Sequence, residues 1–101
     1  MAVFQYNFEW DAAKASANLR KHSVSFARAA TVFRDPDALS LFDRSHSGAG
    51  EDRWITLGVD EHRQLLVVCH AWREAGEDAA RCRIISARKA TKTEARQYRA
   101  R

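Results

Sequence analysis

The chain is poor in the residues that most often announce a specialised site. It has two cysteines, one proline and four glycines among 101 residues, and each shortage closes a class of function. Cys69 and Cys82 each sit inside an apolar run without the C-x-x-C spacing of a structural zinc site. Buried, reduced thiols are therefore expected, as in a reducing compartment. On neighbouring strands the pair would come within reach of an oxidative disulfide, but nothing requires one. No Gly-rich phosphate loop, nucleophile elbow or His-Glu-x-x-His helix occurs. No run approaches the ~18 apolar residues of a membrane span, and the opening MAVFQYNFEWD turns acidic where a signal peptide needs a long apolar stretch. These absences favour one domain over residues 1–101, located in the cytoplasm, with no membrane partner, cofactor or metal.

What is present is a globular composition, 46% hydrophobic and 30% charged, with a net charge of +4 and a pI near 9.5. A mildly basic surface attracts polyanions at long range. That suggests a nucleic-acid or acidic partner without specifying one.

Val3 to Trp10 alternates as a strand or extended arm with Phe4, Tyr6 and Phe8 on one side. Asp11 stands where a helix N-cap belongs. Ala12, Ala15 and Leu19 follow at helical spacing, with His22 extending that apolar stripe and Lys14, Asn18 and Lys21 forming a polar one. Ser25 caps a second helix carrying Phe26, Ala29, Ala30 and Phe33, which Asp35-Pro36 ends because a residue before proline is pushed out of the α region. From Ala38 the period becomes two. ALSLFD, RWITLGV, LLVVCHAW and RCRIISAR read as strands, DRSHSGAGED as a loop, VDEHRQ as a tight turn and REAGEDAA as a polar connection with a mobile tip. Thr91-x-x-Glu94 has the form of a capping box opening a basic helix that leans on Ala95 and Tyr98. The expectation is an α+β fold: two N-terminal helices, an antiparallel meander of about four strands and a C-terminal helix.

The chemistry-bearing residues are cations on strands. Arg53 shares a side with Ile55 and Leu57, His70 with Leu66 and Val68, and Arg83 with Ile85, while Arg88 has the opposite parity with Ile84 and Ser86. An arginine among core-facing neighbours is costly unless it meets an anion, a carboxylate or open water. Its planar fork suits phosphate and carboxylate alike. Glu51, Glu61, Glu74 and Glu94 are available as purely structural partners. A lone His70 between Val68 and Trp72 is more often a satisfied core histidine than a catalyst. His46 and His62 fall in loop or turn and say little, and Trp54 and Trp72 suit either base stacking or the core.

Taken in order, FEWDAAKASANLRKHSVSF, AATVFRDPDALSLFD, GEDRWITLG and RIISARKATKTE resemble the BrnT family of toxins from bacterial type II toxin-antitoxin modules, over roughly Phe8 to Tyr98. The resemblance implies a RelE-like fold, ribonuclease activity that arrests growth, and inhibition by a BrnA-like antitoxin through which alone the complex would touch DNA. By position it carries the family's Lys-His pair onto Lys21 and His22, its Glu-x-Arg-Trp motif onto Glu51, Arg53 and Trp54, and its Arg-x-Ile-Ser-x-Arg motif onto Arg83, Ile85, Ser86 and Arg88. Two departures stand out: Ser23 replaces the usual glycine after Lys-His, and AWREAGEDAA is longer than the usual turn.

Metal-free RNA cleavage needs a base for the 2′-hydroxyl, cations for the developing phosphate charge and a proton for the leaving oxygen. The resemblance implies that Arg53, Arg83 and Arg88 hold the phosphate with Lys21 adding charge. His70, His22 or Glu51 would serve as acid or base, and Trp54 and Lys89 would contact RNA. The competing reading is a binding module in which the same arginines receive a partner without cleavage. By periodicity alone, Arg20 and Lys21 are cations suited to a helix C-terminus and His22 extends the core stripe. With the resemblance, Lys21 becomes the better candidate for the RNA site, and His22 suits the turn between the helices as well as it suits catalysis.

Overall fold

The computed structural model describes residues 5–48 and 51–100, so Val3 and Phe4 of the first segment, Gly50 and Arg101 lie outside the described residues. Strand β1 (Gln5–Glu9) leads into α1 (Ala12–His22) and α2 (Phe26–Thr31), which tightens into a 3-10 turn at Val32–Arg34. Then come β2 (Leu39–Phe42), a second 3-10 turn (Arg44–His46), β3 (Asp52–Val59), β4 (Leu65–Glu74), β5 (Ala79–Lys89) and α3 (Lys92–Ala100). The fold is α+β, with one correction to the sheet. It has five strands in the order β1-β5-β4-β3-β2, and β1 joins β5 in parallel. The pairing of two segments from opposite ends of the chain leaves no local mark in sequence. Half of the connection read as a polar segment is strand, since β4 runs to Glu74 and β5 starts at Ala79. Among the described residues, no helix is long and apolar enough to cross a membrane.

Both N-caps form as the sequence suggests: Lys14 N–H donates to Asp11 Oδ2 at 2.9 Å and Arg28 N–H to Ser25 Oγ at 3.1 Å. Ser23 ends α1 in the left-handed region at φ 58°, a conformation that glycine adopts with less strain. The expected apolar stripe of α1 is corrected too. Leu19 is 51% exposed, and Asn18, placed by periodicity on a polar stripe, is buried. Its side chain donates to Val24 O at 3.0 Å and to Ala87 O at 2.8 Å, and accepts from Ala87 N–H at 3.1 Å. The cause lies in β5. Strand β1 pairs with it only as far as Arg83, so the next stretch of the β5 edge is bare, and the Asn18 amide there takes the place of a missing strand.

Helices α1 and α2 cover one face of the sheet. Val24, Phe26, Ala29 and Val32 pack there against Leu66, Val68, Ile84 and Ala87, each large side chain contributing ~1.5–3 kcal/mol by burial. Arg28 of α2 donates two hydrogen bonds, at 3.0 and 2.7 Å, to Asp60, whose other oxygen accepts the His62 and Gln64 N–H groups of the β3–β4 turn. A Cβ on Gly58 would lie 2.9 Å from Val32 Cγ1, so the first 3-10 turn packs on β3 only because that residue is glycine. Asp35 accepts from Val59 N–H at 2.9 Å and from Tyr98 Oη–H at 2.6 Å, fastening α3 to the far end of β3. The opposite face of the sheet, beyond the reach of α3, is open.

Candidate active site

On that open face the strand registers assemble a single transverse row. Asp43, just after β2, hydrogen-bonds from its N–H to Arg53 O at 2.8 Å; Arg53 pairs with Ala71, Ala71 with Arg83, and Arg83 with Glu9. Side chains directly opposite across a ladder point to the same face. The row therefore reads acid, arginine, alanine, arginine, acid across all five strands. With strands ~4.8 Å apart, the two arginine backbones stand roughly 10 Å from each other, and the small Ala71 leaves a trough between them. Arg73 and Arg81, paired with each other in register, border its upper end. A depression of about 100 Å³ there is lined by Glu9, Glu51, Ala71, Arg73, Arg81 and Arg83. Glu51, two residues before Arg53 and on the same face, reaches over to make an ion pair with the Arg83 guanidinium.

A second depression of about 190 Å³ lies on the other flank of Arg53, with Asp43, His46, Cys69, Ile85 and Ser86 around it. The 3-10 turn that forms its rim is fastened to Arg53 itself. Ser47 Oγ accepts the Arg53 N–H at 2.9 Å while donating to Asp43 O at 2.7 Å. Within the turn, Asp43 Oδ2 meets His46 Nδ1 at 2.9 Å. Desolvation raises the Asp43 pKa, but the hydrogen bonds from His46 and Ser45 outweigh it and hold the carboxyl below its ordinary value. His46, a loop histidine that says little in the sequence, thus shares a depression with Arg53. The signal was present as Asp-x-x-His, whose spacing closes a hydrogen bond once the segment turns helically.

The other sequence candidates are dispersed. Simple alternation gives Arg88 the opposite parity to Arg83, and a bulge corrects this. Cys69 pairs with Ser86 and His70 with Ile84, so Ile85 is an extra residue and Arg88 emerges on the same face as Arg83. It is not in the trough, however: four residues separate Val67, its partner, from Ala71, or ~13 Å along the strand. There it is held in a two-pronged pair with Glu94, at 2.8 and 2.9 Å. Chiefly through that pair, the Glu94 carboxyl falls to a pKa of about 2. Lys89 follows as an exposed strand end.

His70 faces the helices, not the arginines. Its Nε2 lies 2.8 Å from Thr56 Oγ1, its Nδ1 3.6 Å from Cys82 Sγ, and its ring stands edge-on to Phe33 at 4.7 Å. Burial pushes its pKa down to about 4, which fits a neutral core histidine rather than a catalyst on the open face. Burial, with Glu9 adding to it, pushes the Cys82 thiol up to about 12. Cys69 and Cys82 are both free and stand on adjacent strands with their side chains on opposite faces. Trp54 pairs with His70 across the ladder and packs edge-on against Phe42 at 5.2 Å, so its indole belongs to the helix side, although the residue also borders the His46 depression. Lys21 and His22 end α1 beyond Asn18, which is anchored at Ala87. They are remote from the Arg53–Arg83 row, Lys21 exposed and His22 half-buried. Among the described residues no three His, Cys, Asp or Glu side chains gather in the manner of a metal site.

Among curated proteins none matches the chain. The 1.1 Å crystal structure of the Brucella abortus ribonuclease toxin BrnT is similar, with a TM-score of 0.53 at 20% sequence identity, over 89% of this chain and 100% of that one; at such identity the likeness concerns the fold. Residues 10–94 match the family described as the ribonuclease toxin BrnT of type II toxin-antitoxin systems, a span that takes in the whole Arg53–Ala71–Arg83 row with Asp43, His46 and Glu51. The chain belongs to the BrnT family of ribonuclease toxins.

Proposed function

We propose that the protein is an endoribonuclease that arrests growth by cutting RNA without a metal ion, and that a BrnA-like antitoxin silences it. The observation that carries this reading is the pair Arg53 and Arg83, aimed from β3 and β5 over the cleft at Ala71 on the one sheet face that α1 and α2 leave open. Two guanidinium forks at that spacing embrace one phosphodiester and neutralise the charge that develops on it, the task that a metal ion performs elsewhere. Of Glu51, His22 and His70, only Glu51 shares this face, and its pairing with Arg83 means that an incoming phosphate displaces a carboxylate. Arg88 and Lys89 extend the positive field along β5, while Lys21 at the end of α1 and the Trp54 indole on the helix side would meet only RNA that runs past the edge of the arginine face. A site that already accepts Glu51 also suits an acidic side chain of the antitoxin, which would reach DNA through its own half of the complex. We read the fold as RelE-like and the place of action as the cytoplasm.

Removing one preorganised donor to a reacting phosphate typically costs ~100-fold or more in rate. Arg53→Ala and Arg83→Ala should each abolish growth arrest on induced expression and slow cleavage of labelled RNA in chelator by at least that factor, with unfolding curves unchanged. Variants that stay as toxic as the parent at equal expression would refute the arginine clamp. Cleavage that chelator stops and magnesium restores would refute the metal-free reaction. A binding module remains the competing reading because the trough already holds a carboxylate, and purified protein that leaves RNA intact would favour it.

A further inference from the structure

We infer that His46, oriented by Asp43, is the general base that takes the 2′-hydroxyl proton of the RNA held at Arg53. The assignment rests on the nuclease reading and deepens it. Three geometric facts carry it. The carboxylate of Asp43 can only accept, so at 2.9 Å it fixes the proton on Nδ1 and leaves the lone pair on Nε2. The imidazole is 62% exposed and borders the depression beside Arg53, so that lone pair is accessible to a substrate. The turn is locked in place because both backbone groups of Arg53 bond to it, N–H to Ser47 Oγ and C=O to Asp43 N–H. A phosphate on Arg53 therefore sits at a set position relative to His46. No other histidine combines an orienting carboxylate with this face: His70 is inside, His22 ends α1, and His62 lies at the β3–β4 turn.

The step balances as follows. Nε2 removes the 2′-hydroxyl proton and the 2′-oxygen bonds to phosphorus. The bond from phosphorus to the 5′-oxygen breaks with its electron pair passing to that oxygen, which takes a proton from water. The products are a 2′,3′-cyclic phosphate and a 5′-hydroxyl, and the imidazolium returns its proton to the hydroxide left in solvent. Asp43 is a positioning residue that also stabilises the imidazolium. The titratable and charged groups around the ring are Asp43 and Arg44 from its own turn, Arg53 from β3, and Cys69 and His70 from β4.

The test uses the purified full chain and a labelled RNA oligonucleotide in chelator. His46→Ala should lose ~10²–10⁴-fold in kcat with KM little changed, because the arginines remain, and added imidazole should restore part of the rate. Asp43→Asn should lose less and displace the acidic limb of the pH profile. A His46→Ala variant that cuts at the parent rate overturns the assignment while the nuclease stands. A variant that loses RNA affinity instead of kcat, and that imidazole does not rescue, makes His46 a binding residue and overturns it as well. A parent protein that cuts no RNA overturns the nuclease and this assignment together.

Discussion

Arg53 and Arg83 stand in one row of the sheet with only the methyl group of Ala71 between them. The alanine is 3% exposed because its neighbours close over it, so a longer side chain there would rise between the two guanidinium groups. Ala71→Leu should therefore slow RNA cleavage by ~100-fold or more at a stability cost of about 1–3 kcal/mol for overpacking. Denaturant unfolding and a cleavage assay on the same sample separate the two effects, and full activity in a folded variant would contradict the trough.

Glu51 occupies the Arg83 guanidinium that the proposed reaction gives to RNA. Both side chains are about one-third exposed, so the pair itself is worth ~0.2–1 kcal/mol. Glu51→Gln keeps the shape and drops the charge. RNA should then bind roughly two- to five-fold more tightly, with the slope of log affinity against log salt steeper by up to ~0.7. Filter binding across a salt series reads both, and weaker binding would mean that Glu51 itself contacts the RNA favourably.

His70 makes stability depend on pH. Its folded pKa is about 4 against an ordinary 6.5, so between those values the unfolded chain binds the proton and the folded protein does not. The contribution is complete above pH 6.5 and falls away as pH drops toward 4, by about 3 kcal/mol in all. Unfolding midpoints should decline through that window, and His70→Gln should flatten the decline. A midpoint flat from pH 7 to 4.5 in the parent would show that the ring is not buried neutral.

Asn18 is the one side chain of α1 that bonds β5 directly at both its amide atoms. Asn18→Ala orphans the Ala87 N–H and C=O in a buried place, each loss costing ~1–3 kcal/mol. We expect a total of about 2–4 kcal/mol by denaturant titration, and a change below 0.5 kcal/mol, the scale of an ordinary surface substitution, would show that water replaces the amide.

That residue also marks the limit of what the chain discloses before it folds. The caps at Asp11, Ser25 and Thr91 were legible because each acts on backbone three residues away. Alternation within one strand was legible too, setting Arg53 with Ile55 and Leu57 and His70 with Leu66 and Val68, but it could not say that the two sets face opposite sides of the sheet. Asn18 was not legible: an amide reads as surface until the bare edge of a distant strand requires it. Nor was the Ile85 bulge, which arises from how β4 and β5 share their ladder and reverses the parity of everything after it. His46 was visible as a letter and opaque as a function, since its worth depends on Arg53 being stapled alongside.

The helices lie on one side of the sheet and the arginines on the other, and this makes the protein separable into two kinds of damage. Cells that escape a lethal gene would carry lesions of both kinds. Those on the helix side, at Phe26 or Ile84, should leave no protein to detect. Those at Arg53 or Arg83 should leave abundant inert protein, a decoy that still occupies its antitoxin and so could expose the cell to any active copy.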